Sequence, residues 1–263
     1  MKMEKLFIVK IGGNVIDQPE ALALFLDDYA RITSKKILVH GGGKLASEIS
    51  RALGIEPQMI EGRRLTDQET LKVVTMVYGG LINKTIVSGL QARGCNALGL
   101  TGADANIILA RKRRHPGIDF GYVGDIERVN VAPLLQFLGA GLFPVFAALT
   151  HNGEGTMLNT NADTIAAALA RSLFAHYQTT LIYCFDKKGV LAASNEDSVM
   201  PVLTREQYQS LRAQGIISRG MIPKLDEAFA ALQAGAHAVV LCHAAHLLLA
   251  AAEDGKAGTH LRG

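Results

Sequence analysis

Short apolar runs punctuate the chain at Leu6–Ile11, Lys36–His40, Ala97–Thr101, Phe143–Leu149, Leu181–Phe185 and Ala238–Cys242. Each has the length of a strand, and most are followed by Gly, Asp or Asn. Between them, apolar residues recur at helical spacing near Glu20–Ile32, Lys44–Leu53, Asp67–Gln91, Val131–Leu138, Ala162–Ala175, Arg205–Gln214, Pro223–Ala234 and Ala244–Glu253. Strands that are apolar throughout and alternate with helices predict a central, mainly parallel sheet covered on both faces, a three-layer α/β/α sandwich. Thr66-Asp67-Gln68-Glu69 reads as a capping box with Thr66 as the cap, opening the longest helix expected in the chain. The stretch from Arg111 to Arg128 breaks the alternation. Its basic run, Pro116-Gly117 and the following Tyr122-Val123-Gly124-Asp125-Ile126 predict an exposed hairpin.

A chain of 263 residues can bury a large core. The net charge of +3 is too small to mark a nucleic-acid binder, and Arg111–His115 reads as a solvated hairpin edge. No apolar run reaches the roughly 18 residues of a membrane span, and the charged start, Met1–Lys5, does not read as a signal peptide. Cys95, Cys184 and Cys242 are widely spaced and form no C-x-x-C pair, which predicts buried thiols in a reducing, cytoplasmic setting. His243 and His246 lack a third neighbouring ligand, so no protein-held metal is expected.

The candidate chemistry sits after the strands. Lys10-Ile11-Gly12-Gly13-Asn14 and His40-Gly41-Gly42-Gly43-Lys44 place glycines where backbone N–H groups can approach an anion, and a helix follows each. Tight turns with no ligand are the plain alternative for either loop alone. Neither is a P-loop. Gly41-x-Gly43-x-x-Ala46, with Glu61 about 20 residues on, matches a dinucleotide fingerprint weakly and leaves Lys10 unexplained. Asn159, Asn161 and Asp163 crowd the start of an Ala-rich helix, more polar side chains than one cap requires. Gly220-Met221-Ile222-Pro223-Lys224 presents a lysine at another helix start.

Taken in order, these elements resemble the amino-acid kinase family, and within it the members that act on N-acetylglutamate. The resemblance covers essentially the whole chain. It runs through Lys10-x-Gly12-Gly13, His40-Gly41-Gly42-Gly43, Glu61-Gly62-Arg63-Arg64-Leu65-Thr66 and Gly99-Leu100-Thr101-Gly102-Ala103-Asp104. It continues through Gly121–Ile126, Asn159–Asp163, Gly215–Lys224 and a closing Gly258-Thr259.

The resemblance implies the amino-acid kinase fold and an enzyme that phosphorylates the γ-carboxylate of an N-acyl-L-glutamate, N-acetyl-L-glutamate first, in arginine biosynthesis. ATP and Mg²⁺ would serve it. Arg64 before Thr66, with Asn159 and Asp163, is what points to an acylglutamate acceptor. Lys10 would hold the transferring phosphoryl group and Lys224 the leaving side, with Asp163 orienting both lysines. Gly12, Gly13, Gly42 and Gly43 would donate backbone hydrogen bonds to phosphoryl oxygens and the attacking carboxylate. Arg64 would pair with the α-carboxylate of the acceptor, and Asn159 with that carboxylate or the acyl amide. Asp186, Gly189 and Met221 would line the nucleotide.

The resemblance also implies a homodimer and two lobes, residues 1–175 for the acceptor and dimerisation and residues 176–263 for the nucleotide. The residue set agrees chemically. A carboxylate acceptor, with pKa ≈ 4.3, is already ionised at neutral pH and needs no general base. Phosphoryl transfer then needs positioning and positive charge. The Tyr122–Ile126 hairpin is the candidate lid. The sequence departs from the family pattern at Asn14 and at Phe185-Asp186-Lys187-Lys188-Gly189, which bears on the adenine side. With the first strand starting near Leu6, no N-terminal helical extension, hexamer or arginine inhibition is expected. Another carboxylate or carbamate kinase and a non-catalytic nucleotide sensor stay open as alternatives, as does the acyl group.

Overall fold

The computed structural model describes residues 3–60, 63–192, 198–217, 220–252 and 257–263, with the backbone alone at Arg63. Met1, Lys2, Glu61, Gly62, Ser218, Arg219 and Glu253, each part of an expected motif or element, lie outside the described residues. The chain divides into two compact units, one of residues 1–37 with 166–263 and the other of residues 38–165. It passes between them within the strand Lys35–His40 and within the helix Ala162–Leu173.

In the first unit, Lys5–Ile11 pairs in parallel with Gln178–Phe185, which pairs in parallel with Ala238–His243. Thr259–Arg262 joins antiparallel to Ala238–His243 and carries the short strand Val202–Thr204 on its other edge. Leu6, Ile8, Val9, Ile11, Leu181, Ile182, Val240 and Leu241 are almost wholly buried. That explains why these strands read as continuous apolar runs rather than alternating ones. A charged side chain is buried here as well. Lys36 is 1% exposed, and its Nζ donates to the carbonyls of Tyr29, Ala30 and Ile32 at 2.8, 3.0 and 2.7 Å. It therefore caps the C-terminal end of the helix Pro19–Arg31, where carbonyls lack helical partners and a cation suits the dipole.

In the second unit, Ala97–Leu100 and the end of Lys35–His40 flank Phe143–Ala147, all parallel. A second sheet orders Met157–Asn159, Leu149–His151, Ile108–Lys112 and Gly124–Val129. The last two strands are the antiparallel hairpin expected around Arg111–Arg128. The mixed α/β class and the mainly parallel central sheet are thus as the apolar pattern predicts.

Two local expectations are corrected. The helix expected as one run from Asp67 to Gln91 is α-helical over Gln68–Val74, π-helical over Thr75–Ile82 and α-helical again over Asn83–Gln91. The whole 24-residue stretch is long and apolar enough to cross a membrane by length and composition. Its residues Val73, Val77, Ile82, Ile86 and Leu90 are nevertheless buried, and its last part packs on Ala97–Leu100 and Phe143–Ala147. Its cap is Asp67, whose carboxylate accepts from Thr70 N at 2.8 Å, and not Thr66. Thr66 is fully buried and its hydroxyl is engaged elsewhere, donating to Arg64 O at 3.2 Å and accepting from Asn159 Nδ2 at 3.0 Å. A full capping box does occur, at Thr204 and Gln207.

Candidate active site

In the second unit the turn Gly41-Gly42-Gly43 links the strand Lys35–His40 to the helix Gly43–Ala52. Gly42 has φ +152°, a conformation that residues with a Cβ rarely adopt, and an added Cβ would meet Ile82 Cδ1 at 2.1 Å. Tyr78 and Ile82, both on the π-helical segment, pack directly against this turn. π-Helical turns recur at functional sites because they displace side chains from the regular helical rows.

Arg64 reaches the same turn. It is 8% exposed, and its Nη2 donates to Gly43 O and to Ser47 Oγ, both at 2.7 Å. Both protons of that nitrogen are therefore engaged within the protein. Nη1 is buried and has no hydrogen-bond partner among the described residues. A buried guanidinium nitrogen left without an acceptor is costly, so this end of the side chain is suited to an incoming anion. Nη2 thus has both protons engaged, and Nη1 is the terminal nitrogen left to offer an anion. Tyr78 lies beside Arg64; burial pushes its phenol pKa up, against the opposing pull of the guanidinium.

Asn159 joins this cluster through Thr66, whose hydroxyl bridges Asn159 Nδ2 and Arg64 O. Asn161 is the helix cap of the trio, accepting from Asp163 N at 2.7 Å and Thr164 N at 3.2 Å. Asp163 is half-buried in the first turn of the helix. The segment expected as a lid is tied down at its base. Tyr122 N donates to Thr66 O at 2.6 Å, Tyr122 O accepts from Asn159 N at 2.9 Å, and Val123 O accepts from Arg113 N at 2.7 Å. Closure at Tyr122–Ile126 would have to break these bonds.

The first unit gathers the other predicted residues. Lys10 is the register partner of Tyr183 across two parallel strands. Lys224, in the first turn of the helix Ile222–Gln233, places its Nζ 5.0 Å from the Tyr183 ring centroid and 5.9 Å from that of Phe185. The two lysines thus share Tyr183 as a neighbour, and its ring holds one by a cation–π contact. Met221 is the N-cap residue of the same helix.

The Gly12 amide is not available to a ligand, because it donates to Cys184 O at 2.8 Å. What glycine provides there is close approach, since an added Cβ would sit 3.4 Å from Cys184 O and Phe185 Cβ. Gly13 starts the short helix Gly13–Ile16, and an added Cβ there would meet nothing within 4 Å. The two departures noted in the sequence meet each other: Asn14 Nδ2 donates to Asp186 Oδ2 at 2.9 Å. Gly189 is required by Thr259, whose Oγ1 would lie 2.6 Å from an added Cβ and accepts from Val190 N at 2.8 Å.

Sequence reasoning missed Ser47 and Tyr78. The one available signal was Ser47 four positions after Gly43, one helical turn along the same face. Among the described residues no group of three or more His, Cys, Asp or Glu side chains could hold a metal ion.

The fold and the residues in each unit point to a known class. The amino acid kinase family profile matches residues 5–243, and the chain belongs to that family. Acetylglutamate kinase of Cytophaga hutchinsonii is 55% identical over 261 residues, covering 98% of this chain and 99% of that protein. Acetylglutamate kinase of Bacteroides thetaiotaomicron is 54% identical over 239 residues, covering 90% and 93%. N-acetylglutamate synthase from Neisseria gonorrhoeae, crystallised with coenzyme A and N-acetyl-glutamate, aligns with a TM-score of 0.85 at 22% identity. That alignment covers 100% of this chain and 60% of the synthase, and it is a likeness of fold.

Proposed function

We propose that this protein transfers the γ-phosphoryl group of ATP to the γ-carboxylate of N-acetyl-L-glutamate, forming an acyl phosphate in arginine biosynthesis. The relatives named acetylglutamate kinase, matched over nearly the full chain, support the reaction. The observation that carries it at the level of the site is Arg64, buried, with Nη1 unpartnered among the described residues beside a glycine turn. The α-carboxylate of the acceptor is the anion assigned to Nη1, and Asn159 takes a second polar contact with that carboxylate or the acyl amide.

The chemistry asks for little more than charge and alignment. The acceptor carboxylate is ionised at neutral pH, so no residue has to remove a proton. Charge on the transferring group spreads over three oxygens. Lys10 and Lys224 supply fixed positive charge to those oxygens and to the leaving side, and Asp163 positions them. The backbone amides of Gly13, Gly42 and Gly43 donate to the same set of oxygens. Asp186, Gly189 and Met221 shape the nucleotide side, with residues 1–175 serving the acceptor and 176–263 the nucleotide. Mg²⁺ enters as part of MgATP, in keeping with its habit of staying on phosphates and water.

The exposed Met76 and Leu81 on the long helical stretch support a homodimer through that face. The three buried free thiols support a cytoplasmic setting. A coupled ADP-release assay across N-acetylglutamate, N-succinylglutamate, glutamate and aspartate tests the reading. Turnover with N-acetylglutamate well above the others is the expected result. Nucleotide binding with no turnover on any acceptor would favour a sensor instead.

A further inference from the structure

His40 ends a buried strand and immediately precedes the glycine turn, and its side chain is wholly buried. Its Nδ1 lies 2.9 Å from Gly41 O, and its Nε2 lies 3.0 Å from Asn83 Nδ2. A carbonyl oxygen can only accept, so Nδ1 carries the proton. Asn83 Nδ2 also donates to Val145 O at 2.9 Å, while Asn83 Oδ1 accepts from Lys84 Nζ at 3.2 Å. Those two bonds set the orientation of the amide, so Nε2 is the acceptor. The ring is the neutral Nδ1–H tautomer. A second proton would point at the Asn83 amide hydrogens, and burial in any case lowers the imidazole pKa to about 4.

The bond to Gly41 O has a geometric consequence. A trans peptide is planar, with its C=O and N–H pointing in opposite directions. The Gly41 carbonyl and the Gly42 amide belong to one such unit, and the chain has no cis peptide. Holding Gly41 O toward His40 therefore turns the Gly42 N–H to the opposite side. Among the described residues the Gly42 amide makes no hydrogen bond. Glycine freedom at position 42 would otherwise let this peptide rotate.

We propose that His40, itself held by Asn83, is a positioning residue for phosphoryl transfer. It fixes the Gly41–Gly42 peptide so that the Gly42 N–H faces the reacting oxygens. The inference rests on the reading of Gly42 as a backbone donor given above. Its value lies in preorganisation, because a donor already aligned needs no reorganisation as charge develops.

The test joins a spectroscopic and a kinetic measurement. Nitrogen-15 NMR of the full-length protein labelled at histidine should show His40 as the Nδ1–H tautomer at neutral pH. His40→Leu should lower kcat on the order of 10²-fold, the loss typical of one misplaced transition-state donor, with both KM values within about three-fold. His40→Asn, whose amide can donate where Nδ1–H does, should recover at least about ten-fold of that loss. If His40→Leu does not fold, Asn83→Leu should lower kcat with both KM values held. An Nε2–H tautomer at His40 would overturn the proposal. So would a folded His40→Leu, or failing that a folded Asn83→Leu, with kcat within about three-fold of the parent. Absence of acceptor phosphorylation by the parent enzyme would instead sink the functional reading, and it is seen before any variant is made.

Discussion

The side-chain amide of Asn14 donates to the carboxylate of Asp186 at 2.9 Å, across 172 positions of sequence. Each lies in a segment where the sequence departs from the resemblance, and the two side chains partner each other. The bond joins the short helix Gly13–Ile16, which follows Lys5–Ile11, to the loop after Gln178–Phe185. Asn14→Ala should therefore loosen the nucleotide-side loops. The pair is solvent-exposed, so the loss should be near 1 kcal/mol, about a five-fold rise in the ATP KM. The acceptor KM should stay unchanged. Steady-state kinetics with each substrate varied in turn checks this, and an acceptor-side effect would misplace the pair.

Lys10→Ala and Lys224→Ala should each lower kcat by at least about 10²-fold, as expected when a fixed transition-state charge is removed. Neither lysine is fully buried, so melting temperatures should move little. Near-normal turnover in either variant would remove that lysine from the catalytic set.

Arg64→Lys should raise the acceptor KM far more than the ATP KM. A lysine ammonium cannot bond Gly43 O and Ser47 Oγ while also offering a separate planar donor to the ligand. Ser47→Ala, which frees one Nη2 proton, should weaken acceptor binding in the same direction by a smaller factor. A change confined to ATP would place Arg64 on the wrong substrate.

Much of this is legible in the sequence alone. The central strands declare themselves because burial on both faces leaves them apolar throughout. Short edge strands such as Val202–Thr204 and Met157–Asn159 do not, because ladder partners define them and three residues carry no period. The glycine loops and Arg64 are readable as chemistry, whereas Ser47 and Tyr78 look like any helical residues until the turn they touch is known. Thr66 misleads as a cap because the capping pattern is local, and its buried bond to Asn159 spans 93 positions. The π-helical turns over Thr75–Ile82 leave no mark in an apolar pattern that a regular helix would also satisfy.

Lys36→Met should destabilise the fold by roughly 2–3 kcal/mol, because three helix-end carbonyls lose their donor inside the protein. Kinetic constants of the folded fraction should be unaffected. Denaturant unfolding of parent and variant measures the difference.

His40 gives stability a defined pH dependence. Burial lowers its pKa to about 4 in the folded state, against an ordinary imidazole value of 6.5, so the unfolded chain binds the extra proton first. This contribution is fully present above about pH 6.5 and is lost progressively as pH falls toward 4. His40→Asn should flatten that part of the stability profile. Unfolding midpoints between pH 4.5 and 7.5 test it, and identical slopes in both proteins would contradict the assignment.

In the proposed reaction a carboxylate of N-acetyl-L-glutamate receives the phosphoryl group of ATP. Hydroxylamine converts an acyl phosphate to a stable hydroxamate, so the product can be trapped and counted against ADP. One hydroxamate of N-acetylglutamate is expected for each ADP released, at a rate at least about 10²-fold lower in Lys10→Ala and with a raised acceptor KM in Arg64→Lys. ADP release without hydroxamate, or hydroxamate formed equally well from unacylated glutamate, would contradict it.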